Sequence, residues 1–109
     1  MSQRVSFEEW SRLDIRIGRV LEAARIPGSR KLLKLRLDLG GQVRQAVAGL
    51  AEVYTPDQLK GRLLVVLTNL EPRRIFGEMS EVMILATAEG ETVSVLQPDK
   101  PVSPGSRVT

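Results

Sequence analysis

The chain of 109 residues contains neither cysteine nor histidine. The lack of cysteine excludes a disulfide framework, a thiol nucleophile and a thiolate metal site, and the lack of histidine excludes a Ser–His dyad and imidazole ligands. The carboxylates are scattered along the chain, and the spacings of a calcium loop or a phosphate-binding loop do not occur. The sequence therefore predicts a protein that is not an enzyme and that carries no cofactor and no metal.

Long apolar runs are also missing. The longest, Leu63–Leu67, is much shorter than the ~20 residues that cross a bilayer. Residues 1–20 carry charges throughout and lack the apolar core of a signal peptide. We therefore expect a cytoplasmic protein with no membrane partner, and a chain that starts at Met1 is expected to stand alone. A length of 109 residues predicts a single domain.

Positive charge is concentrated in the first half of the chain. Residues 1–50 carry 10 basic and 5 acidic side chains, a net charge of +5, whereas residues 51–109 carry 6 and 8, a net charge of −2. Five bases and no acid lie between Glu22 and Asp38: Arg25, Arg30, Lys31, Lys34 and Arg36. This asymmetry favours a polyanionic partner, and the alternative is a solvated face that keeps the protein soluble.

A short helix is predicted near the N-terminus. Ser6 is a helix N-cap, and Glu9, three residues later, completes a capping box. Phe7, Trp10 and Leu13 recur at helical spacing and form an apolar stripe. We expect this stripe to pack against the core of the domain, and a contact with a second copy of the chain is the alternative.

Strand patterns dominate the rest of the sequence. In residues 33–39, four leucines alternate with charged residues, and Gly40-Gly41 predicts a hairpin turn into the next strand. Alternation in residues 14–24 breaks at Gly18, which indicates a bulge or bend in a long strand. A second capping box at Thr55 predicts a short helix. Further strands are expected at residues 62–70, 81–88 and 92–97, followed by an extended tail over residues 98–109.

This order of elements predicts an all-β fold. Three strands, a short helix, a fourth strand and a final hairpin match the five-stranded Greek-key barrel of the OB fold, preceded here by a short N-terminal helix. A bent first strand would serve both halves of such a barrel. An SH3-like barrel or a small sandwich is the competing architecture. We assign residues 1–109 to one domain, with residues 1–12 as an N-terminal helical segment.

The candidate binding residues lie in two segments. Lys34 and Arg36 share the solvent face of the strand over residues 33–39, with Arg30 and Lys31 at its entrance. Between residues 68 and 83 the chain carries further cations and neutral hydrogen-bonding groups, namely Asn69, Arg73, Arg74 and Ser80. These residue types suit phosphates, base edges and 2′-hydroxyls. An ordinary loop between strands is the alternative for the second segment.

Aromatic residues make up 4% of the sequence, and all four fall in or near expected helices and loops. OB folds that bind single strands use aromatic side chains on the barrel strands as stacking platforms. Such a platform is therefore disfavoured here. Recognition of a folded RNA by its shape and backbone fits the composition better.

Three long stretches together resemble a known family. The stretches LDIRIGRVLEAARIPGSRKLLKLRLDLGG, VAGLAEVYTPDQLKGRLLVVLTNLEPRRIFG and LQPDKPVSPGSRV occur in the order found in stand-alone bacterial and archaeal tRNA-binding proteins. The same module forms the C-terminal part of many methionyl-tRNA synthetases. The resemblance implies an OB fold, a homodimer, binding of tRNA by its overall shape, and no catalytic activity. The family's binding motifs correspond to residues 29–32, residues 69–74 and Ser80.

One motif departs from the family pattern. Where the family often has Ser-x-Gly-Met, this chain has Ser80, Glu81, Val82 and Met83, which places an acid near the expected phosphate site. This form resembles a sister group, the CsaA-type export-associated chaperones. We therefore expect a tRNA-binding homodimer, free-standing or acting in trans with a methionyl-tRNA synthetase. The alternative is a chaperone that binds unfolded polypeptides in an apolar groove.

Overall fold

A computed structural model describes residues 3–109, so the first two residues of the predicted N-terminal segment lie outside the described residues. The chain forms two short helices and nine strands within this range. In chain order these are α1 (Phe7–Ser11), β1 (Ile15–Arg25), β2 (Leu33–Asp38), β3 (Val43–Ala48), α2 (Pro56–Leu59), β4 (Leu63–Leu67), β5 (Arg73–Ile75), β6 (Glu78–Ser80), β7 (Met83–Ile84), β8 (Ala86–Glu89) and β9 (Thr92–Val95).

Five antiparallel strands form the barrel, in the order β3-β2-β1-β4-β7. The long strand β1 takes part in both halves, because residues 15–19 pair with β4 and residues 19–25 pair with β2. This confirms the predicted all-β barrel of the OB type with a short helix between β3 and β4. β8 and β9 pair separately as the predicted final hairpin. The single strand predicted over residues 81–88 is divided, because β7 joins the barrel and β8 joins the hairpin.

The irregularity in β1 lies beyond the glycine that predicted it. The register shift occurs between Val20 and Glu22, not at Gly18. Gly18 is buried against neighbouring strands instead, and a Cβ added to it would lie 2.9 Å from Leu39 Cδ2. Gly18 is thus explained by close packing, whereas the bulge at Leu21 lies just beyond Arg19, the residue at which β1 passes from β4 to β2.

The barrel core is built by alternation on β2. Leu33, Leu35 and Leu37 are fully buried, as their spacing predicted, and Leu39 continues the series beyond the strand. The intervening side chains Lys34 and Arg36 therefore lie on the outer surface of the barrel. Val20, Leu59, Leu64 and Val66 complete the centre of the core.

Side-chain and backbone hydrogen bonds close the barrel between β3 and the segment before β7. The Val47 amide donates to Ser80 Oγ at 3.0 Å, and the Ser80 hydroxyl donates to the Val82 carbonyl at 3.2 Å. Next to it, the Gln45 amide donates to Glu81 Oε1 at 2.9 Å, and the Glu81 amide donates to the Gln45 carbonyl at 2.8 Å. These bonds take the place of a continuous strand ladder across the seam.

Both helices begin with the predicted capping boxes, at Ser6 and Thr55. The apolar stripe of α1 does not pack against the core, and that expectation was wrong. Phe7 is 81% exposed, Trp10 and Leu13 remain partly exposed, and no residue of α1 is buried. The helix is a single turn at the end of the chain, too short to lay this stripe against the barrel.

The C-terminal tail runs alongside β1, where β2 has separated from it. The Ile17 amide donates to the Ser106 carbonyl at 2.9 Å, and the Val108 amide donates to the Ile15 carbonyl at 2.8 Å. Residues 105–108 of the tail thus pair with the side of β1 that β2 leaves free. Within residues 3–109, neither helix is long and apolar enough to cross a membrane.

Candidate nucleic-acid interface

A small hairpin projects from the segment that follows β4. The sequence indicated a loop between strands here, but β5 and β6 pair through Arg73↔Ser80, Arg74↔Met79 and Ile75↔Glu78. The two-residue turn consists of Phe76 (φ 52°) and Gly77 (φ 82°), both in the left-handed region. A turn with two such residues matches the right-handed twist of a hairpin, which explains why so short a ladder forms.

The hairpin lies beside the turn between β1 and β2 and beside the outer face of β2. At its tip, the position of a Cβ on Gly28 would lie 3.5 Å from Phe76 Cε2. At its second strand, Glu78 Oε2 lies 3.5 Å from Lys34 Nζ. The two segments that carry the predicted binding residues therefore meet on one side of the barrel.

We call four of these cations the basic edge: Arg30 and Lys31 on the β1–β2 turn, and Arg73 and Arg74 on β5. All four are exposed, and none of them forms a salt bridge within the described residues. Arg73 and Arg74 alternate between the two faces of β5, and Arg74 also donates to the Gly77 carbonyl at 3.2 Å. The basic edge thus offers free guanidinium and ammonium groups along adjoining turns.

The cations on β2, which we call the basic wall, have a different environment. Lys34 pairs with Glu78 at 3.5 Å, and Arg36 approaches Glu22 Oε2 at 3.9 Å. Glu22 is the register partner of Arg36 across the β1–β2 ladder, so the fold itself brings this acid to the wall. Gln45 Nε2 also donates to the second oxygen of Glu78 at 3.4 Å. An acid therefore lies between the basic wall and the basic edge.

Asn69 was expected to contact RNA, but both ends of its amide already have partners. Its Oδ1 accepts a hydrogen bond from the Asp14 amide at 2.9 Å, and its Nδ2 donates to the Arg12 carbonyl at 2.6 Å. Asn69 therefore fastens the junction between α1 and β1 to the end of β4. The side chain is exposed and retains one free N–H and one lone pair, so an RNA contact stays a prediction.

Ser80 was also expected to contact RNA, and the structure places it inside the seam of the barrel. The residue is 8% exposed, and its hydroxyl both accepts from β3 and donates to Val82. An RNA contact by Ser80 stays a prediction that this geometry does not favour. The neighbouring Glu81, expected near phosphate, directs a carboxylate oxygen at the Gln45 amide instead.

Two residues of the interface, Glu78 and Phe76, were not predicted from the sequence. Glu78 was not predicted because its position opposite Lys34 depends on the β5–β6 hairpin. Strands of three residues are too short to give a recognisable pattern in the sequence. Phe76 was noted only as an aromatic in a loop. The Phe-Gly pair in a turn was the available signal for the hairpin, and it is weak because Asn-Gly is the usual pair there.

A network of polar groups fixes the start of the segment that leads to the basic edge. The Thr68 hydroxyl lies 2.7 Å from Asp14 Oδ2, and Arg16 Nε donates to Asp14 Oδ1 at 2.9 Å. The hydrogen bond from Thr68, with further help from the charges of Arg16 and Arg107, lowers the pKa of Asp14 below its ordinary value despite partial desolvation. Asp14 is therefore held ionised at this junction.

Groups that could hold a metal ion are absent from residues 3–109, where no three carboxylates come together. The described interface therefore offers two kinds of interaction: charge-assisted hydrogen bonds from the basic edge and an exposed aromatic ring at the hairpin tip. Phosphates and nucleobases are the ligands that such groups bind together.

Comparison with known proteins places the chain in a family. Residues 15–107 match the family described as "Putative tRNA binding domain". Methionine–tRNA ligases of Archaeoglobus fulgidus and Thermotoga maritima are 48% and 45% identical to it over 106 and 105 residues, or 97% and 96% of this chain. The chain spans only 16% and 17% of the length of these ligases.

Solved structures give the same result. The MetRS-related protein from Pyrococcus horikoshii matches with a TM-score of 0.93 at 27% identity, covering 99% of this chain and 100% of that one. The chaperone CsaA from Bacillus anthracis matches with a TM-score of 0.88 at 31% identity, covering 98% and 100%. Together with the match over residues 15–107, these similarities show that the chain belongs to the family of tRNA-binding domains related to the C-terminal part of methionyl-tRNA synthetases.

Proposed function

We propose that this protein binds tRNA without catalysing a reaction on it, through the basic edge and the adjoining basic wall. The observation that carries the proposal is the meeting of the β1–β2 turn with the β5–β6 hairpin, where Phe76 lies against Gly28. This contact joins the cations of two distant segments into one exposed surface. A folded RNA presents a rigid array of phosphates that such a surface can follow without reading a sequence.

Family membership supports the nature of the ligand, and the charges support the mode of binding. Arg30, Lys31, Arg73 and Arg74 are free to form hydrogen bonds with phosphate oxygens. Lys34 and Arg36 contribute once RNA competes with Glu78 and Glu22 for them. Asn69 and Ser80 remain the candidates for neutral hydrogen bonds beside these cations.

We also propose that the protein is a homodimer and that the two copies contact each other through α1. Phe7 is 81% exposed, and Trp10 and Leu13 line a small pocket with Arg107 and Val108 of the tail. An apolar stripe that the monomer leaves partly in water favours association, and a second copy carries the same stripe. Two copies would also present two basic edges to one RNA.

Sedimentation of a Phe7→Asp variant tests the dimer. The substitution places a charge on an exposed side chain, so folding is preserved while the apolar contact is lost. Val53→Asp, which changes another exposed apolar side chain in the same way, is the control. We expect the wild type and Val53→Asp to sediment as dimers and Phe7→Asp as a monomer; a dimeric Phe7→Asp would contradict pairing through α1.

The similarity to methionine–tRNA ligases supports a role in which the protein acts together with such an enzyme. In this proposal the protein either binds tRNA on its own or binds it as a separate chain that presents it to a methionyl-tRNA synthetase. Co-sedimentation of the protein with a methionyl-tRNA synthetase, with and without tRNA, tests this step. Association that appears only when tRNA is present would favour the RNA as the link.

A chaperone function is the second candidate, and one groove favours it. Val47, Ile75, Val82 and Met83 line a cavity of about 230 Å³ between β3, the hairpin and β7, and Arg73 of the basic edge lies at the same cavity. Its walls are mainly apolar, which suits side chains of an unfolded polypeptide. The structural similarity to a CsaA chaperone supports the same alternative.

A titration of total tRNA at several salt concentrations, with an unfolded polypeptide as competitor, separates the two candidates. Binding to phosphates releases counterions, so log K should fall steeply and linearly with log salt. Arg73→Gln should lower that slope by roughly one unit, whereas Lys100→Gln, which changes an exposed cation in the tail, should lower it much less. A flat salt response with strong competition by the polypeptide would favour the chaperone.

A further inference from the structure

Phe76 is the aromatic side chain that the fold displays at the basic edge. It lies at the tip of the β5–β6 hairpin and is 57% exposed. The other three aromatic residues lie on other elements: Phe7 and Trp10 are on α1, and the Tyr54 hydroxyl accepts a hydrogen bond from the Val95 amide at 3.1 Å. Phe76 alone combines an aromatic ring with the cationic side of the barrel.

The backbone at Phe76 is strained. Its φ of 52° makes it the one non-glycine residue among those described that adopts the left-handed region. Asn or Gly usually fills this turn position, because a bulky side chain there is sterically unfavourable. The hairpin would form more easily with a small polar residue at position 76. The geometry of the turn therefore does not explain why a phenylalanine occupies it. Strain of this kind concentrates at binding sites.

The surroundings of the ring suit a nucleotide. Phe76, Gly28, Arg30 and Lys31 line one open groove at the rim of the barrel. Gly28 lies against one edge of the ring, where a Cβ built on it would be 3.5 Å from Phe76 Cε2, and this contact fixes the ring beside the β1–β2 turn. A base that stacked on the ring would therefore carry its two flanking phosphates close to the cations of the β1–β2 turn.

We propose that Phe76 stacks against an unpaired base of the bound RNA while the basic edge binds the adjacent phosphates. This inference rests on the proposed function and gives it a selectivity that charge alone cannot provide. Every base has a π face, so stacking tolerates any sequence but requires a base that is not enclosed in a continuous helix. The protein would thus favour folded RNAs with exposed loop bases over uninterrupted duplexes.

The Phe76→Asn variant removes the stacking ring without disturbing the fold of the hairpin and without changing the charge of the surface. It creates an Asn-Gly turn, the favoured pair for this hairpin, and leaves every cation in place. We compare binding of total tRNA and of a blunt RNA duplex with a similar number of phosphates. The variant should bind tRNA about ten-fold more weakly than the wild type, with unchanged duplex affinity and an unchanged salt slope.

Two further variants show whether the π face is responsible. Phe76→Trp should retain the affinity for tRNA, whereas Phe76→Leu, which is apolar but not aromatic, should lose it as Phe76→Asn does. In a Trp10→Phe/Phe76→Trp double variant the single tryptophan reports on the site directly. Its fluorescence should be quenched by tRNA and not by the duplex.

The results that would overturn the inference are distinct from those that would overturn the proposed function. A Phe76→Asn variant that binds tRNA as well as the wild type, or that loses affinity for both RNAs equally, contradicts stacking. Wild-type affinity in Phe76→Leu contradicts it as well. A wild-type protein that binds neither RNA overturns the proposed function itself, and the inference with it.

Discussion

The basic edge and the basic wall contain the same residue types but differ in what surrounds them. The wall cations Lys34 and Arg36 each lie near a carboxylate, at 3.5 and 3.9 Å, whereas the edge cations lie on turns and on a short hairpin without such a partner. A strand in the middle of a sheet brings cross-strand neighbours to every residue, and a turn does not. A count of cations in the sequence therefore overestimates the positive charge that the basic wall offers to a ligand and underestimates the share of the basic edge.

The largest effect is expected from removing edge charges. A Lys31→Gln/Arg73→Gln variant should bind tRNA on the order of 50-fold more weakly at low salt and lower the salt slope by roughly two units. The wall variant Lys34→Gln/Arg36→Gln is the matched comparison. Because both variants remove two positive charges, their long-range attraction to RNA falls equally, and the difference between them reports direct phosphate contacts.

We expect the wall variant to lose only several-fold in affinity, measured by the same titrations. Equal losses in the two variants would remove the distinction between edge and wall. A larger loss in the wall variant would reverse it, and would indicate that RNA displaces Glu78 and Glu22 at little cost.

The next effect concerns the seam that holds the end of the hairpin against β3. Ser80→Ala removes the acceptor of the buried Val47 amide and should lower the free energy of unfolding by about 1–3 kcal/mol. Urea denaturation measures this change. If Ser80 acts through the fold alone, the folded variant retains its salt slope for tRNA; a slope lowered without any loss of stability would instead support a direct RNA contact.

A smaller effect, of opposite sign, is expected from the acid between edge and wall. Glu78→Gln keeps the shape of the side chain but frees Lys34 and removes repulsion of phosphate, so tRNA affinity should rise about two- to five-fold at low salt. Glu89→Gln, on the exposed β8–β9 hairpin, makes the same change in charge elsewhere. An equal rise in both variants would show that only net charge matters.

The smallest effect is a pH dependence of stability that arises from Asp14 and does not involve the cations of the basic edge. Because the folded-state pKa of Asp14 is lowered, its ionisation stabilises the fold above the unfolded-state pKa of about 4, and this contribution is lost as pH falls through the folded-state value. The difference in melting temperature between the wild type and Asp14→Asn should therefore narrow below about pH 4. A difference that stays constant from pH 7 to pH 3 would contradict this role.

Much of the barrel could be predicted because its signals are local. The alternating leucines of β2 place its cations on the outer surface, and capping boxes at Ser6 and Thr55 fix the helix starts. The Gly40-Gly41 turn gives the following strand its register. Each of these features depends on residues only a few positions apart.

The remaining features depend on contacts that local patterns do not encode. The hairpin of β5 and β6 has three-residue strands and an unusual Phe-Gly turn, so its pairing arises from its position against the barrel. Glu78 reaches Lys34 across 44 residues of chain, and Ser80 bonds to Val47 across 33. The exposure of Phe7 likewise depends on what the rest of the molecule leaves uncovered.

The central claim is that tRNA binds where the β1–β2 turn meets the β5–β6 hairpin. Backbone amide NMR spectra recorded with increasing tRNA measure this location directly. We predict that the largest chemical-shift changes fall in residues 28–34 and 73–79, while β8 and β9 remain unchanged. Changes concentrated in β8 and β9, or around Arg19, Arg62 and Lys100 at the tail, would contradict the account.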